Sequence, residues 1–245
     1  MNTLASYRNS HLARGRDYHA IFTSRRHTRV LWDLERRVLD HLLAQHFPSA
    51  PPRHLDFACG TGRILAHLEG RTSVSVGVDV AESMLDVARE VAPRAELRRQ
   101  DITIDPLPSG EAFDLITAFR FFPRAEPELR DSAMGALARL LTDEGLLVFN
   151  NHLNETSLMR RVGRRLGRCR WRAMSHEEVL RLMKPHGLEM VGSWTLGVLP
   201  FNDKVIPLPH LVRAVEWAAA RAFRFQRLAQ DVVYVVRKAG GQVSH

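Results

Sequence analysis

An α/β fold built on a parallel sheet is what this sequence predicts. The first observation is the stretch His54-Leu55-Asp56-Phe57-Ala58-Cys59-Gly60-Thr61-Gly62-Arg63, which runs into Ile64-Leu65-Ala66-His67-Leu68. It reads as a buried strand, a tight glycine turn and a helix start. The second is Val74-Ser75-Val76-Gly77-Val78-Asp79, another short apolar strand, ending in an acid 17 residues beyond Gly62. The third is the regular alternation of strand-like and helix-like segments up to residue 150, which implies parallel pairing through right-handed crossovers.

Taken in order, residues 1–20 are polar and mixed and read as an irregular arm. Residues 29–46 form a helix, with Val30, Leu31, Leu34, Val38, Leu42 and Leu43 at helical spacing. Pro48, Pro51 and Pro52 end it. Residues 1–50 are thus an N-terminal arm and helix, and 51–245 a single domain. Residues 63–70 and 81–92 are crossover helices, the second stopped by Pro93. Residues 96–102 are a third strand, and 103–110 a loop marked by Asp-Pro and Ser-Gly. Residues 113–120 are the fourth strand and 127–141 a helix. Asp143-Glu144-Gly145 turns that helix into a fifth strand over 146–150. Seven arginines then fall within residues 160–172. Leu158, Val162 and Leu166 recur at i, i+4 and i+8, so this stripe is expected to be buried while arginines fan outward. Ser175 and Glu178 have capping-box spacing at the start of the next helix, which Pro185 and Gly187 close. Residues 188–196 and 231–236 are the last two strands. Residues 151–172 and 197–229 stand apart from this pattern as insertions, the second with an amphipathic helix near 211–225.

Composition sets the broad class. The chain has 245 residues, 45% hydrophobic and 25% charged, which suits one large soluble domain. It has no run of about 18 apolar residues and no apolar leader at Met1, so a cytoplasmic location is expected. Its two cysteines, Cys59 and Cys169, fit a reducing compartment. Neither C-x-x-C nor H-E-x-x-H occurs, and no metal site is expected. The net charge is +8, but 32 of the 35 basic residues are arginine. That skew is as much a mark of a GC-rich genome as of a binding surface.

Glycines in such a turn let a ligand approach the main chain, at a point where helix N–H groups are exposed. A dinucleotide fingerprint counted from Gly60 needs glycine at position 65, where Leu65 stands, so that reading fails. The spacing of Asp56, Gly60 and Gly62 instead resembles the acid-x-x-x-G-x-G loop of S-adenosylmethionine-dependent methyltransferases with the Rossmann-like fold. Ala58 stands where that family usually has a further glycine. The resemblance covers residues 50–150 well. It implies an open, mostly parallel sheet with helices on both faces and an antiparallel last strand between the fifth and sixth. It implies S-adenosylmethionine as cofactor, held by Asp56, Ala58, Gly60 and Gly62 in the loop. Asp79 would take the ribose hydroxyls, since a carboxylate accepts two hydrogen bonds from a vicinal diol, with Val80 and Met84 beside it. Asp101 would accept from the adenine amino group and Ile102 would pack on the ring. Ala118 and Phe119, at the end of the fourth strand, would face the reactive methyl.

The methyl carbon of a sulfonium is already electrophilic, so the protein must mainly place a nucleophile in line, about 3 Å away, in a dry pocket. His152, at the carboxyl edge of the sheet, is the candidate general base, with a hydrogen-bonded structural histidine as the alternative. Arg120 is placed beside the methyl by the resemblance and could clamp an anionic acceptor, or simply pair with a carboxylate. Tyr18, Phe22 and Trp32 are candidate lid residues, with plain packing the alternative for Trp32. Phe122, Asn151 and Arg172 are assigned to the acceptor side. The arginine cluster reads either as a solvated face, as a site for an anionic acceptor or a membrane surface, or as an RNA contact. Aromatic residues are sparse at 7%, and Phe119-Arg120-Phe121-Phe122 stands where base-modifying relatives carry an Asn-Pro-Pro-Tyr-like tetrad. Both points argue against nucleic acid. The sequence therefore predicts an S-adenosylmethionine-dependent methyltransferase acting, at oxygen, on a small or lipid-like anionic acceptor. The alternatives are an RNA methyltransferase and a non-catalytic cofactor-binding partner protein.

Overall fold

In a computed structural model of the chain, the residues described are 15–24, 26–168, 172–197, 214–218 and 226–240. Their strands are β1 (Arg53–Phe57), β2 (Val74–Asp79), β3 (Glu96–Arg99), β4 (Phe113–Ala118), β5 (Leu141–Asn151), β6 (Leu188–Leu196) and β7 (Asp231–Lys238). They form one sheet in the order β3-β2-β1-β4-β5-β7-β6. Strands β1 to β5 pair in parallel, and β7 runs antiparallel between β5 and β6. The central strands β4 and β7 are near-continuous apolar runs because both of their faces are covered.

The helices are α1 (Gly15–Ser24), α2 (Arg26–His46), α3 (Arg63–Leu68), α4 (Glu82–Val91), α5 (Pro127–Leu140), α6 (Leu158–Arg165) and α7 (His176–Met183). On one face, α2 and α3 bring Leu34, Val38, Leu42, Ile64 and Leu68 against Leu115, Val148, Val233 and Val235 of the sheet. On the other, α5 and α7 bring Leu129, Met134, Leu137, Val179 and Met183 against Phe149 and Tyr234. Burial of each such side chain is worth about 1.5–3 kcal/mol. An aromatic ladder runs through this second layer, from Phe57 to Phe121, Phe122, Phe149 and Tyr234, at centroid spacings of 4.8 to 5.3 Å.

The capping box is formed as the spacing requires, with Ser175 Oγ accepting from Glu178 N and Glu178 Oε2 accepting from Ser175 N. A short 3-10 turn, Lys184–His186, and the left-handed Gly187 then end α7. Three expectations are corrected. The segment read as an irregular arm is helical from Gly15 onward, and α1 packs on α4, where Arg16 pairs with Glu90. Residues 1–14 lie outside the described residues. The expected Asp143-Glu144-Gly145 turn is a bulge within β5, because Phe113 pairs with Leu141 and Leu115 already with Leu146. The stripe Leu158, Val162 and Leu166 of α6 faces solvent, and Arg160 is the buried residue of that helix. In the second insertion, residues 214–218 are helical, and the rest of the expected 211–225 helix lies outside the described residues.

The bulge carries a steric requirement. A Cβ on Gly145 would stand 2.7 Å from Thr142 Oγ1, 2.8 Å from Leu141 Cδ1 and 3.0 Å from the Phe113 carbonyl. Gly145→Val is therefore expected to destabilise the fold by about 1–3 kcal/mol, the scale of overpacking, read as a lower urea midpoint with an unchanged slope.

Candidate active site

The glycine loop leaves β1 through left-handed backbone. Ala58 has φ 52°, Gly60 φ 55° and Gly62 φ 74°. Gly62 caps α3, and a Cβ there would lie 3.0 Å from Ala88 Cβ on α4, so the loop seats against α4 only with glycine. Ala58 adopts its left-handed conformation at a cost of roughly 1–2 kcal/mol. Asp79, at the end of β2, locks the loop: its Oδ2 accepts from Gly60 N at 2.8 Å and its Oδ1 from Ala81 N at 2.9 Å. Burial pushes the Asp79 carboxyl above its ordinary value, against the pull of these backbone donors.

Above the loop opens a cleft of about 720 Å³, counting the space at its mouth. Tyr18, Ala58, Gly60, Asp79, Val80 and Met84 line one part of it, and Gln100, Asp101, Thr103, Phe119, Arg120 and Leu129 another. The residues present fit the cofactor implied by the resemblance. Asp79 keeps lone pairs beyond the two used by backbone, Val80, Met84 and Phe119 offer apolar contact, and nothing lies within 4 Å of a Cβ built on Gly60. Asp101 sits in the turn after β3, where its Oδ1 accepts from Thr103 N and Oγ1. Ile102 and Ala118 lie in the core behind the cleft and not among its lining residues.

Asp56 lies deeper, under a smaller adjoining cavity that Tyr18, Ala58, Arg63, Phe119 and Arg120 also line. Thr117 Oγ1 donates to Asp56 Oδ1 at 2.6 Å, so the Thr117 oxygen accepts from His54 Nε2 at 2.8 Å. That order fixes the His54 tautomer. Burial holds the His54 imidazole neutral, with its pKa down at about 3, and pushes the Asp56 carboxyl up to about 7.

Beside this cavity is a buried charge cluster. Glu35 of α2, fully buried, receives Arg63 Nη1 on Oε2 at 2.7 Å and Arg120 Nη2 on Oε1 at 3.3 Å. Asn150 Oδ1 accepts from Arg120 N at 2.7 Å, and its Nδ2 donates to Glu35 and Asp231. Arg120 is held at φ 65°, an uncommon conformation for a bulky residue. Arg63 also lies 4.1 Å from the centre of the Trp32 ring. Burial, with the Glu35 charge adding, pushes Asp231 up to about 8, and its Oδ1 has no partner among the described residues.

The remaining candidates are placed as follows. Tyr18, on α1, lines both cavities, while Trp32 packs on the α2 layer. The Phe22 side chain lies outside what is described. His152 lies outside the lining of both cavities. Its Nε2 accepts from Arg124 Nε, and burial beside Arg120, Arg124 and Arg63 holds its pKa well below the ordinary value. Asn151 donates to the Met174 carbonyl, Phe122 stands in the aromatic ladder, and Arg172 pairs with Glu178. Among the described residues no three His, Cys, Asp or Glu side chains come together as a metal site. Sequence reasoning passed over Glu35, Arg63 and Asp231. The signal for Glu35 was present, since it is an acid inside the apolar stripe of its helix.

Comparison with known proteins agrees with this geometry. Residues 55–145 match the family model described as a methyltransferase domain. A protein of Geobacillus sp. (strain WCH70) that bears a methyltransferase name is 30% identical over 120 residues. That match covers 45% of this chain and 46% of that protein, so it spans less than half the length of the curated relative. An S-adenosylmethionine-dependent methyltransferase from Clostridium acetobutylicum superposes with a TM-score of 0.65 at 16% identity, over 92% of this chain and 99% of its own. Magnesium protoporphyrin IX methyltransferase from Synechocystis, solved with SAH bound, gives 0.63 at 14% identity, over 94% and 97%. Residues 55–145 thus match a methyltransferase-domain model, and the fold is that of S-adenosylmethionine-dependent methyltransferases of known structure.

Two outcomes are expected. Asp79→Ala should weaken S-adenosylhomocysteine binding by about 2–4 kcal/mol, the scale for removing a buried charged partner, measured by calorimetric titration. Asp56→Asn should change the pH dependence of stability. The Asp56 carboxyl is near 3.9 unfolded and about 7 folded, so the protonation that favours the fold is complete below pH 4 and lost as pH rises toward 7. The stability of the variant minus that of the parent should therefore grow by about 2 kcal/mol between about pH 5.5 and 8, read by urea melts across that range.

Proposed function

We propose that the chain is an enzyme that moves the methyl group of S-adenosylmethionine to an oxygen of a small anionic acceptor. The observation that carries this reading is that Arg120 and Tyr18 line both the large cleft and the adjoining cavity. A single wall therefore borders the cofactor region and a second space large enough to admit another group. Two guanidinium groups, Arg63 and Arg120, share the carboxylate Glu35, and burial raises the Asp231 carboxyl above its ordinary range. Both guanidinium groups stand at this wall, and a carboxylate or phosphate entering beside them is attracted.

Bound in the cleft, the cofactor supplies a methyl group already activated by its sulfonium. Asp79 holds the ribose end, and the apolar side chains of Val80, Met84 and Phe119 exclude water from the cleft. Arg120 orients the acceptor, and its own position is fixed by Asn150 and Glu35. A hydroxyl acceptor needs a base, whereas a carboxylate oxygen does not. With the His152 imidazole turned to Arg124 and outside both linings, an oxygen that arrives already ionised suits this site best.

The test is a screen of small carboxylates, phosphates and neutral alcohols, read by S-adenosylhomocysteine release. Turnover confined to anionic acceptors is expected, and turnover confined to neutral ones would sink the reading. Arg120→Lys keeps the charge but loses the planar fork. It should raise the acceptor KM about tenfold and leave S-adenosylhomocysteine affinity within about twofold.

A further inference from the structure

The amphipathicity of α6 is inverted. Leu158, Val162 and Leu166 follow one another at successive turns, with Met159 alongside, and they are 56%, 44%, 59% and 42% exposed. The opposite side of the helix faces the protein and carries charge. Arg160 is buried there, its Nε donating to Glu155 Oε2 at 3.2 Å, and Arg164 pairs with the other Glu155 oxygen. Glu155 also accepts from Ala173 N at 2.9 Å, so this inward pairing is anchored to the main chain. Leu228, 43% exposed, lies beside the first turn of the helix, its carbonyl accepting from Leu158 N.

Folding alone gives no reason for this arrangement. Four large apolar side chains lie on the water side of a helix whose inward position is held by an arginine, Arg160, and exposed apolar surface of that kind marks an interaction face. Its border is basic. At 100° per residue, Arg165 and Arg161 flank the apolar arc on one side, and the exposed Arg168 follows the helix. No acidic residue occurs from 156 to 172, and the chain as a whole carries +8. A short apolar arc edged by arginines is the pattern of a helix lying in a membrane interface.

We propose that α6, with Leu228, docks the protein onto an anionic lipid bilayer. Leu158, Met159, Val162 and Leu166 enter the headgroup boundary, and Arg161, Arg165 and Arg168 meet lipid phosphates. The docking face is separate from the residues lining the cleft, so the inference stands whatever the methyl acceptor is.

The experiment is co-sedimentation of the full chain with vesicles of phosphatidylcholine alone and of phosphatidylcholine mixed with phosphatidylglycerol. The parent protein should partition onto the mixed vesicles. The double variant Leu158→Ser, Leu166→Ser should partition at least about tenfold less, with an unchanged melting temperature and S-adenosylhomocysteine affinity showing that it is folded. The pair Arg161→Gln, Arg165→Gln gives a second reading, with weaker binding to the mixed vesicles and loss of the preference for anionic lipid. Absence of partitioning by the parent protein overturns the proposal. So does equal partitioning by the serine variant, which would reduce the effect to bulk charge. A concentration-dependent dimer seen without vesicles, abolished by the serine variant and unaccompanied by vesicle binding, would assign the face to a second copy of the chain and also overturn it.

Discussion

A single buried carboxylate ties the functional edge of this molecule together. Glu35 rises from the helix that covers one face of the sheet and meets Arg63 from the glycine loop and Arg120 from the end of β4. Asn150 of β5 and Asp231 of β7 complete the contact. Four segments distant in sequence are thus referred to one point. Removing the carboxylate would take the shared acceptor from two buried guanidinium groups, a loss on the scale of about 3–5 kcal/mol. Hydrophobic burial holds the layers on the sheet, but it is not directional. The charge cluster supplies the direction, because hydrogen bonds to a planar guanidinium fix position and angle together.

Among the described residues, the two non-glycine residues with left-handed backbone, Ala58 and Arg120, follow the ends of the adjacent strands β1 and β4. In an open sheet of this order the chain leaves these neighbouring strands in opposite senses, and ligands bind in the crevice between. Local strain is thus found at the crevice and not dispersed through the sheet. Asp79 holds one side by capturing the Gly60 amide, and Asn150 holds the other by capturing the Arg120 amide. Both walls of the cleft are fixed by a side chain that binds a main-chain donor, so the cavity does not depend on long flexible side chains for its shape.

Much of this was legible in the sequence, for identifiable reasons. Strands that alternate with helices show as apolar runs ending in an acid, and Asp79 was found that way; the third strand, read over 96–102, ends at Arg99, and Asp101 stands in the turn after it. The glycine loop could be read because its spacing is a backbone requirement. What escaped was orientation. The rhythm of Leu158, Val162 and Leu166 is the same whether the stripe faces inward or outward, and only the pairing of Arg160 and Arg164 with Glu155 decides it. Glu35 and Asp231 escaped because buried charge is recognisable only with its partners, and those lie 28 and more residues away in sequence. His152 satisfied the positional rule for a catalytic group, but position along a strand does not say which neighbour occupies the ring nitrogen.

One residue of the glycine loop has a chemical consequence of its own. Cys59 is buried, and its thiol is pushed well above its ordinary pKa by burial and by the carboxylates of Asp56 and Asp79. It packs instead among Leu65, Leu85 and Ala92. Thiolates are the reactive form of cysteine toward alkylating agents, and a sulfonium methyl donor is one. Keeping Cys59 protonated and apolar makes the loop chemically inert toward alkylating groups, and the same burial shields it from oxidants.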